Sequence, residues 1–255
     1  MVSGPSASVA LLSAIPPEME ELVGALVGGE TFDLAGRPVT AGVLDGVEVV
    51  VAEAGIGKVN AAIAVTLLVE RFGCRIVVVT GVAGGLDPEL RVGDVVIAER
   101  TVQHDAGILG DSGISPYQPG HLPFFNPTEA SGYRVSPVLL SRVRDRLDDL
   151  VLPALTEKAG GSGEPPRLRF GTVLSGDQFV NSEGQRKRLF ALGGSVVEME
   201  GGAVAQTAET LGIDHLVIRS LSDLAGAEST VDFGLYLSEV AANSVLVVRH
   251  LLPVL

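Results

Sequence analysis

The chain carries two stretches that set its architecture, Ser195-Val196-Val197-Glu198-Met199-Glu200-Gly201-Gly202 and His215-Leu216-Val217-Ile218-Arg219-Ser220-Leu221-Ser222-Asp223. Each is an apolar, strand-like run that ends abruptly in ionisable residues. In an open α/β sheet, ligands bind at the carboxyl ends of the strands. Buried carboxylates are costly unless they are paired or used in chemistry. Glu198, Glu200 and Asp223 therefore mark the candidate site.

The rest of the chain alternates between strand and helix patterns. We predict strands at 9–14, 38–44, 47–52, 76–80, 94–98, 169–174, 196–199 and 216–221, and helices after Pro16-Pro17 and at 58–72, 136–150, 183–192, 203–211 and about 233–252. Asp45-Gly46 is a hairpin signal, so the sheet is mixed. The pattern predicts an α/β fold, a three-layer α/β/α sandwich with a central mixed β-sheet, in a single domain over 1–255.

Two segments do not follow this alternation. Residues 104–133 have little periodicity and many Gly, Pro, Ser and aromatic residues, and residues 157–166 read as an exposed Gly/Pro-rich insertion. A long irregular segment within a compact domain is often functional. We therefore expect 104–133 to contribute to a binding site.

Composition and charge exclude several classes of protein. The formal net charge is −13 and no basic face is visible, so we expect no nucleic-acid partner. No apolar run approaches the length of a membrane span, and Met1–Ala10 lacks the basic start of a signal peptide. The single cysteine, Cys74, suits a cytoplasmic protein. The four histidines show no ligand spacing, so we expect no metal and no cofactor.

Two glycine-rich loops follow predicted strands, Ala54-Gly55-Ile56-Gly57-Lys58 and Thr80-Gly81-Val82-Ala83-Gly84-Gly85. Glycine lets backbone N–H groups approach an anion or a sugar. Neither loop has the spacing of a P-loop or of a dinucleotide-binding motif. Taken alone, a loop of this kind is more often a tight strand-to-helix turn than a ligand-binding loop.

The candidate acidic residues also have structural explanations. Glu18 is placed either to complement a helix dipole or to face the same crevice as Glu200 and Asp223, where one carboxylate activates water and another protonates a leaving group. Asp223 also suits a turn or cap. Glu198 and Glu200, two apart on a predicted strand, are expected to point the same way, with Met199 opposite as core filling. Arg219 is an available ion-pair partner for either glutamate.

Six motifs occur in an order that is more specific than any one of them: Ala14-Ile15-Pro16-Pro17-Glu18, Gly55-Ile56-Gly57-Lys58-Val59, Thr80-Gly81-Val82-Ala83-Gly84-Gly85, Ser175-Gly176-Asp177-Gln178-Phe179, Val197-Glu198-Met199-Glu200 and Arg219-Ser220-Leu221-Ser222-Asp223. In this combination the chain, from about Val9 to Leu251, resembles the 5′-methylthioadenosine/S-adenosylhomocysteine nucleosidases of the nucleoside phosphorylase superfamily. The resemblance implies hydrolysis of an adenine N-glycosidic bond in a small nucleoside substrate.

The resemblance also implies roles for individual residues. Asp223 matches the general acid that protonates adenine at N7, and Glu18 the carboxylate that activates the attacking water. The substrate-binding matches are Glu200 to the ribose hydroxyls, Met199 against the sugar, Phe179 stacked on adenine, Val180 reading the adenine edge through its backbone, and Arg219 and Ser222 as supports that place the water and Asp223.

The family's dimeric assembly adds further expectations. Members are homodimers in which a loop of one subunit closes the other's 5′-substituent pocket, and Tyr117 and Pro123 fall where that loop is expected. A purine and a 5′-thioether require an apolar, partly aromatic pocket. In a chain without tryptophan, Phe233 and Ile56 are available to supply it together with Phe179 and Tyr117.

Three other readings remain open. A nucleoside phosphorylase shares this resemblance but needs a phosphate site rich in arginines and hydroxyls, where this chain has Glu18 and Val82. A second alternative is a hydrolase of another modified adenosine, such as futalosine or 5′-deoxyadenosine. The third is a non-catalytic nucleoside sensor, which the presence of Glu18, Glu200 and Asp223 together disfavours.

Overall fold

The computed structural model describes residues 7–14, 19–111, 113–156, 163–226 and 229–255, and at 229–238 it describes the backbone alone. The helices are α1 (Glu20–Gly24), α2 (Lys58–Phe72), α3 (Pro137–Leu147), α4 (Glu183–Ala191), α5 (Gly201–Leu211) and α6 (Ser229–Leu251), with a final 3₁₀ helix at Leu252–Val254. The strands are β1 (Val9–Ser13), β2 (Val27–Leu34), β3 (Arg37–Leu44), β4 (Val47–Glu53), β5 (Ile76–Val79), β6 (Val82–Gly85), β7 (Val95–Gln103), β8 (Gly107–Gly110), β9 (Gly113–Pro116), β10 (Tyr133–Arg134), β11 (Leu168–Ser175), β12 (Val196–Glu198) and β13 (Asp214–Asp223).

The main sheet is mixed, as predicted. Its strand order is β10-β7-β11-β12-β6-β13-β5-β1-β4-β3-β2. The strands β4, β1, β5 and β13 run parallel, whereas β3 is antiparallel to β4 and β12 is antiparallel to β6. An additional antiparallel pairing of β7 with β13 closes one half of the sheet into a ring. The long strand β13 thus joins both halves.

Alternating side chains of the central strands supply two apolar layers. In β1, Ala10 and Leu12 pack in one cluster with α2 and α5, and Val9 and Leu11 pack in the other with α1, α3 and α6. This follows from the two-residue period of a strand, which sends successive side chains to opposite faces. Helices therefore cover both faces of the sheet, and the predicted three-layer α/β/α sandwich is confirmed.

The predicted hairpin at Asp45-Gly46 is also present. Both residues have positive φ angles, 49° and 86°, between β3 and β4. A two-residue turn with positive φ at both positions matches the right-handed twist of the paired strands. The hairpin extends the parallel core of the sheet with antiparallel edge strands.

The prediction of a loop after Thr80 was wrong, and the prediction of an irregular segment at 104–133 was correct only outside its strands. The glycine-rich segment after Thr80 contains β6, a buried strand between β12 and β13. A Cβ added to Gly85 would lie 2.6 Å from Cδ2 of Leu221, so the glycine permits close packing of neighbouring strands. The segment 104–133 contains the hairpin of β8 and β9. Of the predicted insertion 157–166, residues 157–162 lie outside the described residues, and 163–165 are exposed.

Candidate active site

A cavity of about 220 Å³ opens where the strands β12 and β13 end, as the polar ends of these strands predict. It is lined by Ala14, Ile56, Val82, Ala83, Gly84, Gln178, Phe179, Val180, Val197, Glu198, Met199, Glu200, Arg219, Ser222 and Asp223. These residues come from the ends of strands and from the loops that follow them. The sheet therefore gathers residues from distant parts of the chain around one space.

Most of the predicted site residues line this cavity: Ile56, Phe179, Val180, Met199, Glu200, Arg219, Ser222 and Asp223. Glu18 and the side chain of Phe233 lie outside the described residues. Tyr117 and Pro123 line a separate cavity of about 230 Å³ within the segment 104–133. The structure of one chain therefore does not bring these last two residues to the first cavity.

Glu200 stands at a junction between strand and helix. Strand β12 ends at Glu198, and Glu200 is the N-cap residue of α5. Its Oε1 accepts a hydrogen bond from the backbone N–H of Gly57 at 2.8 Å, and its Oε2 lies 3.3 Å from Nη2 of Arg219. Glu200 is 4% exposed. Its carboxylate is held from two sides, which fixes its direction in the cavity.

Glu198 and Glu200 converge on Nη2 of Arg219, in agreement with the prediction that they point the same way. The core position predicted for Met199, beyond the end of the strand at Glu198, was wrong. The strand geometry stops there because the chain turns into α5, so the two-residue period no longer applies. Met199 consequently lines the cavity instead of filling the core. A flexible thioether side chain is well suited to contact a ligand of irregular shape.

Glu198 accepts hydrogen bonds from several donors. It accepts hydrogen bonds from the backbone N–H groups of Glu200 (3.1 Å) and Gly201 (2.8 and 3.0 Å) and from the hydroxyl of Ser175, and it pairs with Arg219. These donors include the first N–H groups of α5, where a carboxylate is stabilised by the helix dipole. The ion pair with an arginine, one of the open readings, is confirmed for Glu198.

Arg219 places one guanidinium between two carboxylates. Nη2 contacts both Glu198 and Glu200, and Nη1 donates to the carbonyl of Thr80 at 3.4 Å. The side chain is 99% buried. Removing one partner of such a buried pair leaves an uncompensated charge, so these three side chains act as a unit that holds Glu200 in place.

Asp223 ends β13 and is buried in the wall of the cavity. Its Oδ2 accepts from the Ser222 hydroxyl at 2.9 Å, and its Oδ1 accepts from the backbone N–H of Ala225 at 2.7 Å. A Cβ added to Gly84 would lie 3.0 Å from Oδ1. The carboxyl group is thus fixed by two donors and by the close approach of β6.

The opposite wall is apolar and more open. Ile56 is 55% exposed and Phe179 is 50% exposed at the cavity. Exposed apolar side chains of this size beside buried carboxylates suit a ligand with one flat apolar part and one polar part. The described arrangement therefore combines surfaces for a ring and for hydroxyl groups.

Sequence reasoning missed several components of the site. Gln178, Ala83 and Val197 line the cavity, and the N–H of Gly57 holds Glu200. Gln178 directly precedes Phe179 in the same motif, so its position in that motif was a signal that could have identified it. The role of the Gly57 backbone carries no side-chain signal. It depends on a contact between segments 143 residues apart.

The described residues contain no group of three or more His, Cys, Asp or Glu side chains that could hold a metal ion. Asp105, next to His104, instead pairs with Lys58 at 2.6 Å. Burial lowers the pKa of His104, although the charge of Asp105 opposes this effect. Within the described ranges, no helix has the length and apolar character needed to cross a membrane.

Comparisons with known proteins bear on the family and the fold of the chain. The family model of the phosphorylase superfamily matches residues 8–253 of this chain. A 5′-methylthioadenosine/S-adenosylhomocysteine nucleosidase of Mycobacterium tuberculosis is 53% identical over 249 residues, which cover 97% of this chain and 98% of that relative. A nucleosidase of the same description from Colwellia psychrerythraea, solved in complex with adenine, has a TM-score of 0.81 and 33% identity and covers 99% of this chain and 97% of its own. The futalosine hydrolase of Helicobacter pylori has a TM-score of 0.80 and 27% identity, with 97% of each chain covered.

Proposed function

Because the chain belongs to the 5′-methylthioadenosine/S-adenosylhomocysteine nucleosidase family, within the phosphorylase superfamily, we propose that it hydrolyses the N-glycosidic bond of these two nucleosides and releases adenine. One observation carries the proposal. A single cavity joins the buried carboxyl groups of Glu200 and Asp223 to an apolar wall that contains Phe179 and Met199. A purine nucleoside presents the same division into a flat ring and a polar sugar.

In this proposal Asp223 is the general acid. Adenine is a poor leaving group until its ring is protonated, and Asp223 protonates N7 as the glycosidic bond breaks. The hydrogen bonds from Ser222 and Ala225 support this role because they fix the carboxyl group, as proton transfer requires a positioned donor. Phe179 stacks on the base, and the backbone of Val180 reads its edge.

Glu200 binds the ribose hydroxyls, with Met199 against the sugar. A carboxylate accepts strong hydrogen bonds from hydroxyl groups, and the contacts of Glu200 with Gly57 and Arg219 limit its motion. Arg219 contacts both glutamates, so we assign it to holding Glu200 as well as to supporting the water site. As positive charge develops on the sugar, the nearby carboxylates stabilise the transition state.

Glu18 activates the attacking water in this proposal. It follows Ala14 by four positions in the chain, and Ala14 lines the cavity at the end of β1. The position of Ala14 at the cavity supports the assignment of Glu18, because the two residues are close in the chain. A general base near the sugar completes the division of labour between two carboxyl groups that hydrolysis with inversion uses.

Water is favoured over phosphate as the nucleophile. Among the described residues that line the cavity, Arg219 is the sole cationic side chain, and it already contacts Glu198 and Glu200. Val82 adds no hydroxyl to the same wall. A phosphate ion would therefore meet buried carboxylates without the set of donors that it requires.

A second candidate is hydrolysis of a different 5′-modified adenosine. The futalosine hydrolase of Helicobacter pylori has nearly the same TM-score as the methylthioadenosine nucleosidase structure, so the fold does not separate the two substrates. The groups described at the cavity suit a purine base and a ribose, which futalosine, 5′-deoxyadenosine and methylthioadenosine all contain. The 5′ substituent is therefore the part to test.

We further propose a cytoplasmic homodimer formed by one catalytic domain per chain. In it, the loop with Tyr117 and Pro123 reaches the neighbouring site. This agrees with the position of both residues at a second cavity of their own chain, away from Phe179 and Asp223. Equilibrium sedimentation tests the dimer, and loss of activity toward long 5′ substituents in a Tyr117→Ala variant tests the loop.

The function is tested by incubating the protein with methylthioadenosine, with and without phosphate, and analysing the products. We expect adenine and free methylthioribose in both conditions. Sugar 1-phosphate formed only when phosphate is present would instead show a phosphorylase. Parallel reactions with S-adenosylhomocysteine and 5′-deoxyadenosine rank the 5′ groups, and a reaction with futalosine tests the second candidate. No base release from any of these nucleosides would favour a sensor.

A further inference from the structure

Three segments that are distant in the chain meet beside the cavity. Lys58 is the first residue of α2, Asp105 follows the end of β7, and Asp177 follows the end of β11. None of the three lines the cavity itself. Their side chains and backbone nevertheless connect the loops that line the cavity.

The three residues form a closed ring of hydrogen bonds. Nζ of Lys58 donates to Oδ1 of Asp105 at 2.6 Å, and the backbone N–H of Asp177 donates to Oδ2 of Asp105 at 2.9 Å. The ring closes because the backbone N–H of Lys58 donates to Oδ1 of Asp177 at 2.8 Å. Asp105 therefore uses both carboxylate oxygens to join the other two segments.

The ring is more than a solvent-exposed ion pair. The side chains of Lys58 and Asp105 are only 17% and 14% exposed, so water screens their attraction less than it does at an open surface. Burial by itself raises the pKa of Asp105. The hydrogen bonds from Lys58 and from the Asp177 backbone, and the charges of Lys58 and His104, outweigh burial and hold this pKa below its usual range.

Each side of the ring leads directly into the cavity. Asp177 is followed by Gln178, Phe179 and Val180, which line the cavity. Lys58 is preceded by Gly57, whose N–H holds Glu200. The ring therefore sets the distance between the wall at Phe179 and the carboxylate of Glu200.

We propose that Lys58 and Asp105 are positioning residues that hold the base-stacking segment 178–180 against the sugar-binding carboxylate. This inference rests on the proposed function, in which Phe179 stacks on adenine and Glu200 binds the ribose. Neither residue touches the substrate. They act through the loop geometry, so their loss weakens binding of the nucleoside more than it slows bond cleavage.

The first test compares steady-state hydrolysis of methylthioadenosine by Lys58→Met, Asp105→Asn and the double variant. We expect each single change to raise KM about tenfold with kcat within about threefold, because misplacing a binding wall costs affinity. The double variant should be no worse than either single variant, since both remove the same link. Asp45→Asn is the matched control, as it removes a distant ion pair with Arg249.

The second test measures the loop without substrate. The chain has no tryptophan, so Phe179→Trp introduces a single fluorescent reporter into the wall. Its quenching by acrylamide should increase when Asp105→Asn is added and stay unchanged when Asp45→Asn is added. A change in overall stability shared by both Asp→Asn variants would not produce this difference.

The outcomes separate this inference from the proposed function. Unchanged KM in both single variants, additive effects in the double variant, or equal quenching in the two Asp→Asn backgrounds would each overturn the inference. If the unmodified protein releases no adenine, the proposed function fails. The quenching comparison then still decides whether the ring holds segment 178–180.

Discussion

The backbone N–H of Gly57 donates to Oε1 of Glu200 at 2.8 Å, although 143 residues separate the two in the chain. The contact ties the start of α2 to the N-cap of α5. Gly57 has a φ of 96°, which glycine adopts without strain. A hydrogen bond from a fixed backbone group leaves the carboxylate little freedom, so Glu200 is pre-set for the ligand.

The first prediction concerns the charge of Glu200. In Glu200→Gln one carboxylate oxygen is replaced by an NH₂ group, which is a donor. This NH₂ group would face another donor, either the N–H of Gly57 or the guanidinium of Arg219. We expect kcat/KM for methylthioadenosine to fall roughly tenfold to a hundredfold, the value of a hydrogen bond to a charged group. Circular dichroism should show an unchanged fold, and activity within twofold of the parent would contradict the assignment of Glu200.

The second prediction concerns the general acid. In Asp223→Asn the carboxamide keeps an oxygen for the N–H of Ala225, but its N–H groups are far too weakly acidic to protonate N7. We expect Asp223→Asn to lose roughly 10²–10⁴-fold in kcat, while calorimetry still detects methylthioadenosine binding. Near-normal turnover would remove Asp223 as the acid, whereas loss of both binding and turnover would assign it to binding.

The third prediction tests how closely β6 approaches Asp223. A Cβ at Gly84 would lie 3.0 Å from Oδ1 of Asp223 and 3.0 Å from Cβ of Ala225. Gly84→Ala should therefore displace the carboxyl group and reduce kcat about tenfold, with a loss of about 1–3 kcal/mol in the free energy of unfolding.

The control for this substitution is Gly24→Ala. A Cβ at Gly24, the last residue of α1, meets nothing within 4 Å. This variant should match the parent in kcat. Equal kcat in the Gly84 and Gly24 variants would mean that the approach of β6 does not hold Asp223.

The fourth prediction concerns stability at acidic pH. Burial lowers the pKa of His215 in β13 to about 4 from the usual 6.5. As the pH falls below 6.5, His215 becomes protonated in the unfolded chain but stays neutral in the folded chain until the pH approaches 4. The free energy of unfolding therefore decreases. We expect His215 to account for about 2 kcal/mol of this loss between pH 8 and pH 5.

Urea unfolding of the parent and of His215→Leu at pH 5, 6, 7 and 8 measures this contribution. At pH 8 the histidine is neutral in both states, so the difference there reports packing alone. The variant should lose less stability than the parent on acidification. An identical pH dependence in the two proteins would rule out His215 as the cause.

Much of the architecture could be read from local patterns. The helix 58–72 has the predicted bounds, and Asp45-Gly46 forms the predicted hairpin. Both depend on interactions between near neighbours, which the order of residues specifies directly. The strand β6 escaped prediction because Val-Ala-Gly-Gly has weak local preference, and its conformation comes from pairing with β12 and β13.

The candidate site was likewise predicted in part from the sequence and determined in part by the tertiary structure. The order of residues alone pointed to Glu198, Glu200 and Asp223, because a buried strand that ends in carboxylates requires an explanation. The sequence also offered Arg219 as an ion-pair partner for either glutamate and, through the family resemblance, Ser222 as a support for Asp223. The folded chain shows that Arg219 contacts both glutamates, and it adds the backbone N–H groups of Gly57 on Glu200 and of Ala225 on Asp223. Local preference identifies which groups are costly to bury, and the donors to Asp223 are its neighbours in the chain. The Gly57 N–H and the Arg219 guanidinium that hold Glu200 come from distant segments, and packing of the sheet brings those segments together.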